Sequence, residues 1–268
     1  MSLLRFLRSL PKRLRARKDK AIILRQPATS DMEIARERWS DSLSDPTTFY
    51  SRCVRYFHHS LPEDLREHRL YFSQEQRGFG EEGFHVMWWI LFREFKPARF
   101  LEIGVYRGQT LSLAALLQRA LGINGSVTGI SPFSSSGDEV SKYRTNIDYR
   151  LDTLGNFQHF KLPVPHLHQG YSTDGDAVAL ISERSWDCIY IDGNHDYAVA
   201  LADWTACAAA LEVGGIIVLD DSALNTAYRP PAFATGGHPG PSRVAEEIDR
   251  SRFQEILRVG HNRVFQKL

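Results

Sequence analysis

"WDCIYIDGNHDYAVALADWTACAAALEVGGIIVLDD" (residues 186–221) holds two apolar runs, each ending in aspartate, with a helical stretch between them. Short runs rich in Ile, Val and Tyr read as buried strands. The segment between them places Tyr197, Leu201, Trp204, Ala208 and Leu211 on one stripe at a 3.6-residue period, the face of a core-covering helix. Strand, helix and strand in that order predict a parallel pair joined by a crossover. Polar clusters, "DGNH" at 192–195 and "DDS" at 220–222, then follow each strand.

The same texture extends outward. "RFLEIG" (99–104) reads as a strand entering a glycine turn, and "QTLSLAALLQRAL" (109–121) as the helix behind it. "SVTGI" (126–130) is a second strand, followed by a polar helix around 138–150, and "FQHFKL" (157–162) is a third. After 222 a Gly/Pro-rich segment, 222–242, reads as a long loop. With Tyr228, Arg229 and His238 it is expected to close over a substrate. "FQEILRVGHNRVFQKL" (253–268) predicts an antiparallel hairpin around a Gly-His-Asn turn. The expected organisation is a basic N-terminal segment (1–45) with helical stretches broken by Pro11, Pro27 and Pro46, a helical cap region (46–97) and an α/β domain (98–268). In the cap, Phe84, Trp88, Trp89, Phe92 and Phe95 share helical spacing and read as core rather than as a sugar-stacking platform.

Composition narrows the function classes. The chain has 268 residues, 43% hydrophobic and 24% charged, an ordinary globular balance. Residues 1–25 carry nine Lys/Arg and one acid, leaving 24 basic and 31 acidic residues elsewhere, a net −7. A body of that sign is no partner for nucleic acid. The basic segment fits either a helix lying on an anionic membrane surface or a solvated tail. Cys53, Cys188 and Cys207 have no C-x-x-C spacing, so neither a zinc ribbon nor a disulfide framework is indicated. With no apolar stretch resembling a secretory signal, the expected setting is cytoplasmic and reducing, peripheral to the membrane at most. His166 and His168 read as loop histidines, and no G-x-S-x-G elbow supports a serine nucleophile.

In open parallel sheets, ligands bind beyond the carboxyl ends of the strands. The residues there are Glu102 and Gly104, Ser131, Asp192 with Asn194 and His195, and Asp220 with Asp221. Glycines in Glu102-x-Gly104-x-x-x-Gly108 permit a tight turn and close approach of a ligand. Dinucleotide sites want G-x-G-x-x-G, and a carboxylate where the first glycine belongs suits a cationic ligand better than a pyrophosphate. Aspartates after strands also serve as helix caps or turn residues.

"FLEIGVYRGQT", "WDCIYIDGNHDY" and "EVGGIIVLDDSA", within a frame of about residues 80–268, together resemble class I S-adenosylmethionine-dependent methyltransferases. Among these they are most similar to the metal-dependent O-methyltransferases of sugars and small molecules. The resemblance implies a Rossmann-like, doubly wound, mostly parallel seven-stranded sheet with the C-terminal hairpin antiparallel and a helical N-terminal extension. It implies that Glu102, Gly104, Val105, Tyr106, Gly108 and Thr110 shape the cofactor's pocket, together with Ser131, Tyr171, Ser172 and Asp192. It also implies that Asp192, Asp220 and Asp221 hold a divalent cation, magnesium first, and three carboxylates without cysteine do suit a hard ion. His195 stands where catechol-type relatives carry a basic lysine, which makes it the candidate general base beside Asp192. Two positions depart from the pattern: Asn194 replaces an aspartate frequent in sugar-methylating relatives, and Ser131 replaces the acid that usually grips the ribose. The expected acceptor is a hydroxyl of a sugar, glycoside or glycan, with a catechol-like phenol second; a homo-oligomer is compatible. The rivals are a nicotinamide-dependent oxidoreductase and a non-catalytic, membrane-tethered adaptor.

Overall fold

The computed structural model describes residues 3–135 and 144–268, with side chains of the first helix from Pro11 onward. Five strands pair in parallel: β1 (Arg99–Ile103), β2 (Ser126–Ser131), β3 (His166–Gln169), β4 (Trp186–Ile191) and β5 (Leu211–Leu219). The hairpin strands β6 (Phe253–Val259) and β7 (Asn262–Lys267) complete the sheet in the order β3-β2-β1-β4-β5-β7-β6, with β7 antiparallel to β5. The order reverses between β1 and β4, the switch point where a crevice must open.

Alternate residues of each strand feed two separate cores, which is the signature of a sheet wound on both faces. Phe100, Cys188, Tyr190, Ile216 and Val218 join one core, while Leu101, Ile103, Ile189, Ile191, Ile217 and Leu219 join the other. The N-terminal helices cover the first face: α1 (Leu3–Leu24), α2 (Asp31–Ile34), α3 (Trp39–Ser44), α4 (Pro46–His59), α5 (Glu63–Ser73) and α6 (Glu82–Phe95). They are joined there by α7 (Gln109–Ala120) and α8 (Tyr149–His159). On the second face lie α9 (Gly175–Ser182), α10 (Tyr197–Ala210) and α11 (Pro239–Glu247). The aromatic run on α6 is core, with Trp88 meeting Phe100 and Tyr190 edge-on at ring separations of 5.5 and 5.2 Å. Across the sheet, Trp204 on α10 packs against Phe253 and Phe265 at 5.2 and 5.4 Å.

Four local expectations are corrected. Residues 157–162 are not a strand: Phe157 ends the buried stripe Tyr149, Thr153, Asn156, Phe157 of α8, and Lys161 turns out of the helix at φ 52°. Helix α8 begins at Tyr149 because the Asp148 side chain accepts from Leu151 N, so 144–148, expected within a helix around 138–150, are not helical, and 138–143 lie outside the described residues. The third strand is instead His166–Gln169, so His166 and His168 sit on a short edge strand rather than in a loop. Pro11 does not break α1, since a proline removes one helical hydrogen bond without ending the element. The second half of α1 is docked: Ile23 is buried, Lys20 pairs with Glu82, and Asp19 accepts from Ala232 N. Among the described residues no helix is long and apolar enough to cross a membrane.

Candidate active site

The register of the sheet builds the crevice. Ile191 of β4 lies opposite Leu219 of β5, so Asp192 and Asp220 leave the sheet side by side. The ladder continues through them, with Asp192 N donating to Ile103 O at 2.9 Å and Asp220 N to Ile191 O at 3.0 Å. Asp220 is buried, Asp192 is partly buried, and the two carboxyls share a hydrogen bond. Burial, then the charges of Asp220 and Asp221, hold Asp192 well above the usual carboxylate range. Burial pushes Asp220 the same way, but the charge and hydrogen bond of His261 and the hydrogen bond from Asp192 leave it lowered. Two carboxyl groups this close cannot both ionise without a proton or a cation between them.

Asp221 adopts a left-handed backbone at φ 49°, which few non-glycine residues hold without help from their surroundings. Three imidazoles surround the acidic pair. His195 Nε2 lies 2.8 Å and His238 Nε2 3.8 Å from Asp221 Oδ2, and His261 Nε2 lies 3.2 Å from Asp220 Oδ1. Burial disfavours the charge on His261, yet Asp220, Asp221 and Glu81 outweigh it and raise its pKa to about 10. A void of about 10 Å³ is lined by Asp192, Gly193, Asn194, His195, Asp220 and Asp221 together with the apolar Ile191, Ala200, Leu219 and Pro241. That is room for one water or one ion.

The glycine turn after β1 sits directly on this edge. Gly104 has φ +97°, and a Cβ there would lie 1.9 Å from the carbonyl oxygen of Asp192. Gly108, at φ +76°, precedes α7, and a Cβ would lie 2.7 Å from Thr153 Cγ2. Glu102 is buried, with Oε2 lacking a hydrogen-bond partner. Burial drives its pKa to about 8; the N–H of Leu111 pulls it back and the charge of Asp220 adds to the rise. Glu102, Asp192, Asp220 and Asp221 thus form one acidic field.

The other sequence-nominated residues are distributed around that edge. Val105 is core, and the Tyr106 ring packs against Phe79 and Tyr149 at 5.0 and 5.3 Å. Thr110 lies half-buried in the first turn of α7. Ser131 is buried at the end of β2, and its carbonyl accepts from Gly170 N, which brings Tyr171 and Ser172 alongside. Tyr171 is exposed, while Asp203 of α10 is a carboxyl that burial lifts to about 6, with Ser172 pulling back. A cavity of about 650 Å³ opens beside β2 and β3, lined by Phe133, Asn146, Asp148, Leu151 and Gln169 among others.

His261 and Glu81 escaped the sequence reading. His261 sits in the β6–β7 turn, where "GHN" signals only a turn, and only the β5–β7 pairing carries it onto Asp220. Glu81 precedes α6 and is partly buried, receiving a hydrogen bond from the Tyr50 hydroxyl; desolvation raises it to about 7, with His261 pulling back. The 222–238 segment is tied down. Arg229 N donates to Thr47 Oγ1 at 2.9 Å and His238 N to Asp221 O at 2.7 Å. Tyr228 is buried against Tyr50, and the Arg229 guanidinium bonds nearby backbone carbonyls, so of the three expected loop residues His238 is the one that reaches the acidic pair.

A family model described as a methyltransferase domain matches residues 101–222, from β1 through the acidic pair. The uncharacterized protein R132 of Acanthamoeba polyphaga mimivirus is 22% identical over 156 residues, 58% of this chain and 62% of that protein's length. An O-methyltransferase from Bacillus cereus in complex with S-adenosylhomocysteine superposes with a TM-score of 0.57 at 16% identity, covering 82% of this chain and 98% of that one. The O-methyltransferase TomG from Streptomyces achromogenes, involved in tomaymycin synthesis and bound to S-adenosylmethionine, gives 0.53 at 16% identity, over 87% and 98% of the two chains. The S-adenosylhomocysteine-bound methyltransferase PaMTH1 of Podospora anserina gives 0.53 at 16%, over 91% and 99%. At these identities the likeness to the solved structures is one of fold.

Proposed function

We propose that this chain, whose residues 101–222 match a family model described as a methyltransferase domain, transfers the methyl group of S-adenosylmethionine to a hydroxyl of a sugar, glycoside or glycan, with a divalent cation, magnesium first, held by Asp192, Asp220 and Asp221. The observation that carries the reading is that Asp192 and Asp220 leave adjacent strands side by side and, with Asp221, line one small void at the Gly104 turn. The donor set fits the ion: all oxygen, and frustrated without a cation, since Asp192 and Asp220 must otherwise share a proton. The cofactor fits too. Glu102 offers a buried carboxylate oxygen with no partner, and an acidic floor attracts a ligand carrying sulfonium and ammonium charges while repelling a pyrophosphate.

S-adenosylmethionine supplies an electrophilic methyl group, and a bound divalent cation makes a nearby hydroxyl more acidic. The chain's own residues do the rest. The turn from Gly104 to Gly108 admits the methionine part close to the backbone, and the cavity beside β2 and β3 takes the adenosine. Ser131 stands where the ribose is expected and can give one hydrogen bond. Asp221, 2.8 Å from His195 Nε2, orients the imidazole, and His195 is the base that accepts the hydroxyl proton. Positioning the hydroxyl against the methyl accounts for much of the acceleration. "IDGNHDY" with "LDDS", the pattern of the sugar-modifying branch, supports the acceptor class.

The test is transfer of labelled methyl from S-adenosylmethionine to a panel of glycosides and phenols, with and without chelator. Activity abolished by chelation, restored by magnesium and absent in Asp221→Asn while cofactor binding persists is the expected result. Turnover indifferent to chelator removes the cation, and saturable binding of a nicotinamide cofactor instead would hand the chain to the oxidoreductase rival.

A further inference from the structure

We propose that the mouth of the crevice is a second metal site, made of His195, Asp221 and His238, that takes a borderline transition ion such as zinc or cobalt(II) in preference to magnesium. One donor atom from each residue falls within 4.8 Å of the other two. Measured from Asp221 Oδ2, the nitrogens stand at 2.8 and 3.8 Å, and the two rings are 4.2 Å apart. Ligands of a tetrahedral ion at ~2.0 Å bond lengths lie about 3.3 Å from each other, so these separations bracket the requirement. Two imidazoles and one carboxylate with a position left open is a donor set that suits zinc-like ions and is poor for magnesium, which prefers oxygen.

The backbones bearing these side chains are locked together. His238 N donates to Asp221 O at 2.7 Å. Gly237, at φ +100°, lies so close that a Cβ would be 2.3 Å from Asp221 O, and one on Gly240 would be 2.1 Å from His195 O. The start of α11 is therefore clamped onto both other ligand-bearing residues, which preorganises the trio before any ion arrives. All three side chains are partly buried, at 18%, 14% and 33% exposure for His195, Asp221 and His238. Asp221 belongs to both this trio and the oxygen-only set, so the two ions compete for it. The site itself does not depend on methyl transfer; only the consequence, that an ion on His195 blocks proton acceptance, rests on the reading above.

Cobalt(II) is titrated into the full chain without cofactor, followed by visible absorption and equilibrium dialysis, with manganese binding followed by electron paramagnetic resonance. One cobalt ion with the intense bands of tetrahedral coordination is expected. His238→Ala and His238→Asn, both of which keep the backbone N–H, should lose those bands and about tenfold or more of cobalt affinity, with manganese affinity little changed. Unaltered cobalt affinity in both variants, or only the weak bands of octahedral coordination in the parent, overturns the proposal. Calorimetric titration with S-adenosylmethionine judges the methyltransferase reading separately, so either idea can fail alone.

Discussion

Replacing Glu102 by glutamine should stabilise the ligand-free protein while weakening its hold on the cofactor. Burial lifts this carboxyl from an ordinary 4.5 to about 8, so the folded chain keeps a proton that the unfolded chain has released. A group with its folded pKa raised contributes stability that is lost as pH rises, here from about 4.5 through about 8. At 1.36 kcal/mol per pKa unit the ionisation burden is about 1 kcal/mol at pH 5.5 and at most about 4 at pH 8. Glutamine carries no such burden and can still accept from Leu111 N, so urea midpoints should show a stabilisation of the variant that grows by up to about 3 kcal/mol between those pH values. Loss of a charge-assisted hydrogen bond, roughly 1.5–3 kcal/mol, should cost about 10- to 100-fold in S-adenosylmethionine affinity. Gaining stability while losing binding is the behaviour of a group held for function. An identical pH slope in variant and parent would show that Glu102 does not titrate in this window and refute the reasoning.

Glu255 provides the opposite sign: Arg258 and Arg263 overcome its burial and hold it at about 2, so its contribution is present above the ordinary 4.5 and disappears as pH falls toward 2, visible as an acid limb in the same urea series. Arg263→Met should cost about 1.5–3 kcal/mol in urea unfolding, because it strips a buried guanidinium from Glu255 and Glu246 and leaves Glu255 with Arg258 as its remaining bidentate partner; a loss under 1 kcal/mol would contradict this. Gly104→Ala forces a Cβ into the Asp192 carbonyl at an unfavourable φ, so it should destabilise by about 2–4 kcal/mol and abolish cofactor binding, with calorimetry as the check. A variant that folds and binds normally would separate the glycine turn from the acidic edge.

The parallel sheet, its hairpin and the strand-end position of the polar clusters were legible because they are local. Apolar runs, a 3.6-residue stripe and glycine turns identify elements one at a time. Residues 157–162 misled because three apolar side chains at near-alternate positions also fit the end of a helix, and only the Asp148 cap and the buried Tyr149–Phe157 stripe decide. The short edge strand β3 pairs on one side alone and stays partly exposed, so it carries little apolar signal. His261 is a different matter. Its partner is 41 positions away along the chain, and nothing in a turn sequence says that the hairpin lies against β5 rather than at the far edge. His238 was visible as a loop residue, but its contact with Asp221 depends on the backbone bond that brings the loop back.

The most direct measurement is a crystal structure with S-adenosylhomocysteine and manganese, using anomalous scattering to locate the ion. The account predicts a peak at about 2.2 Å from oxygens of Asp192, Asp220 and Asp221, with the homocysteine part lying over the Gly104–Gly108 turn. A manganese peak away from those carboxylates, or a ligand bound at another edge of the sheet, would contradict it.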